Sequence, residues 1–140
     1  MPRTPSSVLF ACSFNSIRSP MAAALMRQHQ GRRIYVDSVG VRRGTLDPFA
    51  VAVMDEIGID IRGSVPKTFD ELEDTSYDLV ISLSPEAQHS AVELTRTMAC
   101  EVEFWPVFDA TAVEGSREER LAAYRLVRDH LRKRILERFP

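Results

Sequence analysis

Four short apolar runs, each separated from the next by a stretch with helical spacing, constrain this chain more than any other feature. Residues 7–11, 33–39, 77–83 and 100–105 are rich in β-branched and aromatic side chains, too short for helices, and closed by turn residues, so they read as strands. Between them, residues 19–30 read as a helix stopped by Gly31. Asp47-Pro48 opens a second helix that carries Val51, Val53, Met54 and Ile57 and stops at Gly58. Residues 62–76 read as loop with a short helical piece over 69–72, and Ser84-Pro85 opens a third helix. Ser116-Arg117-Glu118-Glu119 is a capping box for a last helix that places Leu121, Tyr124, Val127, Leu131 and Ile135 on one side. Regular alternation of this kind predicts an α/β three-layer sandwich. Its four-stranded parallel sheet, in the order 2-1-3-4, has helices on both faces.

In an open parallel sheet, ligands gather at the carboxyl ends of the strands, and the first such end carries the chain's most reactive side chain. Cys12-Ser13-Phe14-Asn15-Ser16-Ile17-Arg18-Ser19 joins the first strand to the first helix. A loop of this type wraps backbone N–H groups around an anion. The helix N-terminus adds a positive dipole end, and Arg18 can add a planar two-pronged clamp on phosphate oxygens. The same field stabilises a thiolate at Cys12. Nucleophile and oxyanion cradle therefore share one loop.

The rest of the composition excludes more than it suggests. A chain of 140 residues with 44% hydrophobic side chains fits one domain, residues 1–140, which buries about 68% of its unfolded surface without a metal or disulfide staple. Eighteen basic against twenty acidic side chains give a net charge of −2, too near neutral to signal a nucleic-acid or membrane partner. Residues 1–7 lack the apolar core of a secretory signal, and no run approaches a membrane span, so the cytoplasm is the expected compartment. The basic stretch from Arg128 to Arg138 reads as a solvated helix face. Of the two cysteines, Cys100 falls in the fourth strand and reads as a buried, inert thiol. His29, His89 and His130 are scattered over helices as surface or boundary residues, no metal-ligand spacing occurs, and the expected chemistry needs no cofactor.

The segment from Val8-Leu9-Phe10-Ala11-Cys12 through Asn15 to Arg18-Ser19-Pro20 and Met21-Ala22 resembles the signature loop of the low-molecular-weight protein tyrosine phosphatases and of the arsenate reductases built on the same fold. Asp37-Ser38-Val39-Gly40, Glu56-Ile57-Gly58-Ile59-Asp60, Tyr77-Asp78-Leu79-Val80-Ile81, Trp105 and Asp109 extend the likeness along most of the chain. It implies a phosphatase acting on phosphorylated protein or small phosphate esters, with Cys12 as nucleophile. Arg18 and the amides from Ser13 through Phe14, Asn15, Ser16 and Ile17 to Ser19 would bind phosphate. Asn15 would tie the loop to Ser38, and Ser19 would donate to the thiolate. Asp109 would be the general acid, then base. The family reads Asp-Pro where this chain has Asp109-Ala110, which implies a looser acid loop over residues 106–115. Asp47-Pro48, the only Asp-Pro here, is better explained as a helix start.

Phe14 either lines the pocket mouth, where it could stack on an aromatic substrate, or packs. Arsenate reduction is the competing activity. The thioredoxin-coupled members relay a disulfide through two further cysteines, and the comparable stretch here, residues 81–90, has only serines, so an external thiol would have to resolve Cys12. A catalytically silent phosphate- or phosphoprotein-binding module is the third reading.

Overall fold

The computed structural model describes residues 4–72 and 76–140. Residues 73–75 of the expected 62–76 loop, and the first three residues of the 1–7 segment, lie outside that set. The elements are β1 (Ser7–Cys12), α1 (Arg18–Gln30), β2 (Tyr35–Gly40), α2 (Pro48–Asp55), β3 (Leu79–Ser82), α3 (Pro85–Leu94), β4 (Glu101–Phe104) and α4 (Arg117–Arg138), with 3₁₀ turns at Phe69–Glu71 and Ala110–Ala112. All strand pairs are parallel and the order is β2-β1-β3-β4, as the alternation predicts. β1 sends its connection to one side and β2 sends the next back to the other, so the chain reverses direction across the sheet at the carboxyl end of β1.

Alternation along β1 builds both faces. Val8, Phe10 and Cys12 face a larger core with Met21, Met26, Ala50, Met54, Val127 and Leu131, while Leu9 and Ala11 face a smaller one with Val80, Ala87 and Ala91 of α3. Capping fixes the helix starts: Asp47 accepts from the Phe49 amide ahead of α2, Ser84 from the Ala87 amide ahead of α3, and Ser116 closes a full capping box with Glu119. Among the described residues no helix is long and apolar enough to cross a membrane.

Two sequence expectations need correction. Cys100 lies just outside β4 and is half-buried, because β4 is an edge strand whose residues are all at least partly exposed. The thiol packs only at the rim of the smaller core, as one of its partly buried neighbours. Arg128 is also not on a solvated face. It is buried, with its guanidinium donating to the Val53 carbonyl and to Glu56 Oε1, each at 2.8 Å, and to Asp129 Oδ1. The cation is tolerated there because every contact is a charge-assisted or carbonyl hydrogen bond.

Candidate active site

The loop after β1 is shaped from outside by the chain that follows β2. The amides of Val41, Arg42, Gly44 and Asp47 donate to the carbonyls of Cys12, Ser13, Phe14 and Ser16 at 3.0, 2.8, 2.8 and 3.1 Å. In a trans peptide the N–H points opposite to the C=O, so the amides of Ser13, Phe14, Asn15 and Ile17 turn to the concave side. The strap can come this close because residue 40 is glycine: a Cβ there would stand 2.6 Å from the Asn15 nitrogen. Asn15 adopts φ 55°, the left-handed conformation that its short amide side chain tolerates.

Asn15 is fully buried and saturates three partners. Its Nδ2 donates to Ser19 Oγ at 2.7 Å and to Ser38 Oγ at 3.0 Å, and its Oδ1 accepts from the Lys67 amide at 3.0 Å. Ser19 in turn lies 2.9 Å from Cys12 Sγ and 3.2 Å from the Val39 carbonyl. One hydroxyl proton serves two acceptors, so it can go to the carbonyl when sulfur is protonated and to sulfur when it is anionic. Ser13 Oγ donates to Ser84 Oγ at 3.1 Å, fixing the loop to the end of β3.

Arg18 opens α1 at the rim of the loop, and its Nη1 donates to the Val107 carbonyl at 3.0 Å. This bond joins the cation to the segment that carries Asp109. Asp109 is exposed, and its Oδ1 accepts from the Thr111 amide at 2.9 Å and the Thr111 hydroxyl at 2.6 Å. Burial of the carboxyl pushes its pKa up, but the two Thr111 bonds and the charge of Arg18 outweigh it and hold the group below the ordinary aspartate value. The Asp109 side chain caps the 3₁₀ turn, and Ala110 is buried beneath it.

Of the residues singled out in the sequence, Cys12 to Ser19, Ser38 and Asp109 come to one end of the sheet. Phe14 is 47% exposed, with the Arg42 guanidinium 5.9 Å from its ring centroid. Cys100 is at the other end. Lys67, the strap amides and the Val107 carbonyl carried no signal of this role in the sequence; for Thr111 the one signal is the Asp109-Ala110-Thr111 spacing, that of an Asx turn. Among the described residues no group of three or more His, Cys, Asp or Glu side chains converges to hold a metal.

A parallel four-stranded sheet presenting a cysteine–arginine oxyanion loop at its reversal point defines a class of cysteine-based enzymes. The chain belongs to the low molecular weight phosphotyrosine protein phosphatase family, whose profile matches residues 7–135. It is similar to an arsenate reductase of Halalkalibacterium halodurans, 36% identical over 129 residues that cover 91% of either chain. Among solved structures, an arsenate reductase in the phosphate-binding state superposes with a TM-score of 0.72 at 28% identity over 94% of both chains. The low molecular weight protein tyrosine phosphatase of T. tengcongensis shares the fold, with a TM-score of 0.77 at 24% identity over 95% of this chain and 99% of that one.

Proposed function

We propose that this protein is a phosphatase that hydrolyses phosphate monoesters, on phosphotyrosine in proteins or on small aryl phosphates, through a cysteinyl-phosphate intermediate. The Cys12 thiolate attacks phosphorus in line. The P–O bond to the leaving group breaks, and Asp109 delivers a proton to the departing oxygen. Arg18 and the inward amides hold the three equatorial oxygens as charge shifts. In the second step Asp109, now a carboxylate, takes a proton from water as water attacks phosphorus. The P–S bond breaks, Cys12 leaves as thiolate with the Ser19 hydroxyl donating to it, and inorganic phosphate departs.

The position of the second cysteine supports hydrolysis over a reduction relayed by an internal disulfide. Val8 is level with Leu79 and Leu79 with Glu101; Cys12 is four residues past that level and Cys100 one before it, five levels apart on strands two positions apart. At about 3.3 Å per residue and about 4.8 Å per strand, the separation is roughly 19 Å, against a limit of about 7 Å between Cα atoms in a disulfide. Cys12 and Cys100, the two cysteines of the chain, cannot pair in this fold, whereas hydrolysis needs only groups already gathered at one end.

Arsenate reduction is the second reading, supported by the relative named arsenate reductase at 36% identity. Here Cys12 adds to arsenate with loss of water. An external thiol then attacks the Cys12 sulfur, As(V) leaves as arsenite, and the mixed disulfide is reduced by a further thiol.

Hydrolysis of p-nitrophenyl phosphate by wild type, Cys12→Ser and Asp109→Asn decides between them. The phosphatase reading expects turnover in wild type, none in Cys12→Ser, and a strong loss in Asp109→Asn. Phosphate binding with no Cys12-dependent release sinks it in favour of a silent binding module. Arsenate-dependent oxidation of glutathione or glutaredoxin without ester hydrolysis would establish the reductase.

A further inference from the structure

The segment that straps the cradle makes its last contact through Asp47, whose amide donates to the Ser16 carbonyl at 3.1 Å. Ser16 is the joint of the loop: its peptide supplies the inward amide of Ile17, and Arg18 follows at the start of α1. Asp47 is held from within its own segment by two bonds, its Oδ1 accepting from the Phe49 amide at 2.8 Å and its carbonyl from the Val51 amide at 3.1 Å. A third bond comes from the other end of the sequence. The Tyr124 hydroxyl of α4 donates to Asp47 Oδ2 at 2.9 Å.

Tyr124 is 1% exposed, and its ring lies 5.3 Å from that of Phe49, which Arg120 covers at 4.6 Å. Burial and the Asp47 bond hold the phenol far above its ordinary value, so it is a neutral donor at every working pH. Capping α2 needs one carboxylate oxygen, so the second bond to a buried phenol is beyond what a helix start requires. Helix α4, which carries Tyr124, also packs against the Ala110–Ala112 turn that follows Asp109. The two halves of the site therefore rest on one helix.

We propose that Asp47 and Tyr124 are a positioning pair for the oxyanion cradle: the buried hydroxyl fixes the carboxylate, and through the Asp47 amide it fixes the Ser16 peptide, so that Ile17 and Arg18 meet a tetrahedral anion already in register. Neither residue touches the anion. Their effect falls on binding, because a loop ordered in advance loses less freedom when its ligand arrives.

The inference rests on the oxyanion-binding part of the proposed function, and inorganic phosphate is the probe. Calorimetric titration of phosphate into wild type, Tyr124→Phe, Asp47→Asn and the double variant should show about tenfold weaker binding in each single variant, the scale of losing one hydrogen bond to a charged group. The double variant should also be about tenfold weaker rather than a hundredfold, because the two residues act as a unit. KM for p-nitrophenyl phosphate should rise in step while kcat changes little. Asp47→Asn keeps an oxygen for the Phe49 amide, so folding is preserved even if Tyr124→Phe proves unstable.

Lowered melting temperatures with unchanged phosphate affinity would make the pair purely structural and overturn the proposal. Additive losses would overturn it as a pair, and a wild type that binds no phosphate would overturn it outright. If wild type binds phosphate but hydrolyses nothing, the phosphatase reading fails while the pairing is still judged by affinity. If wild type hydrolyses and Tyr124→Phe binds phosphate normally, the pairing fails alone.

Discussion

Ser19 Oγ stands 2.9 Å from Cys12 Sγ while accepting from Asn15 at 2.7 Å, so the hydroxyl is oriented before any substrate arrives. Ser19→Ala should slow breakdown of the cysteinyl phosphate about 10- to 100-fold, the loss of one hydrogen bond to a charged leaving group. Rapid-quench kinetics with p-nitrophenyl phosphate would show a larger burst followed by a slower steady state. A variant with normal turnover and no burst would remove Ser19 from the leaving-group step.

Asn15 combines a left-handed backbone with three buried hydrogen bonds, and two substitutions separate these contributions. Asn15→Ala should cost about 2–4 kcal/mol in urea unfolding, since it strains the backbone and strands buried partners. Asn15→Gly should recover about 1 kcal/mol of that, the share due to φ alone. Equal losses in both variants would mean that the backbone at this position stores no strain.

Thr111 gives Asp109 two of the three influences that lower its pKa, and the hydroxyl can be removed alone. In Thr111→Val the carboxyl should keep its proton to higher pH. A general acid works while protonated, so the descending limb of the rate profile should move upward in pH relative to wild type. An unmoved limb, in a variant that folds normally, would show that Asp109 does not set it.

Glu56 receives Arg125 and Arg128, whose hydrogen bonds lower its pKa from 4.5 to about 2 against a smaller opposing effect of burial. The folded-state value is depressed, so the stabilisation is complete above the unfolded value and is lost as pH falls from about 4.5 toward about 2. Glu56→Gln should therefore lose melting temperature near neutrality and converge on wild type in acid. The gap will be smaller than the shift implies, because the carboxylate is partly solvated and water screens the pair. Parallel melting curves at all pH values would rule out this linkage.

Much of the frame was legible because local chemistry specified it. Pro48 and Pro85 follow their capping residues, the Ser116–Glu119 box opens α4, and the apolar period changes at each element boundary. The loop from Cys12 to Ser19 was legible because nucleophile, cation and helix start are contiguous. What was not legible comes from contacts between distant parts of the chain. Lys67 reaches Asn15 from 52 positions away and Tyr124 reaches Asp47 from 77, and no periodicity encodes such register. The surroundings of Cys100 and Arg128 differ from the sequence expectation for the same reason. An edge strand fails to enclose the thiol, and a neighbouring helix end supplies the carbonyl and carboxylate that allow a guanidinium to be buried.

The distance between the two sulfurs also governs damage. A peroxide that converts Cys12 to its sulfenic acid meets no resolving thiol within the same molecule, since Cys100 sits at the far end of the sheet. Rescue has to come from an external thiol reaching the mouth of the loop, and where that supply runs short a second peroxide oxidises the sulfenic acid to the sulfinic acid and the site is lost.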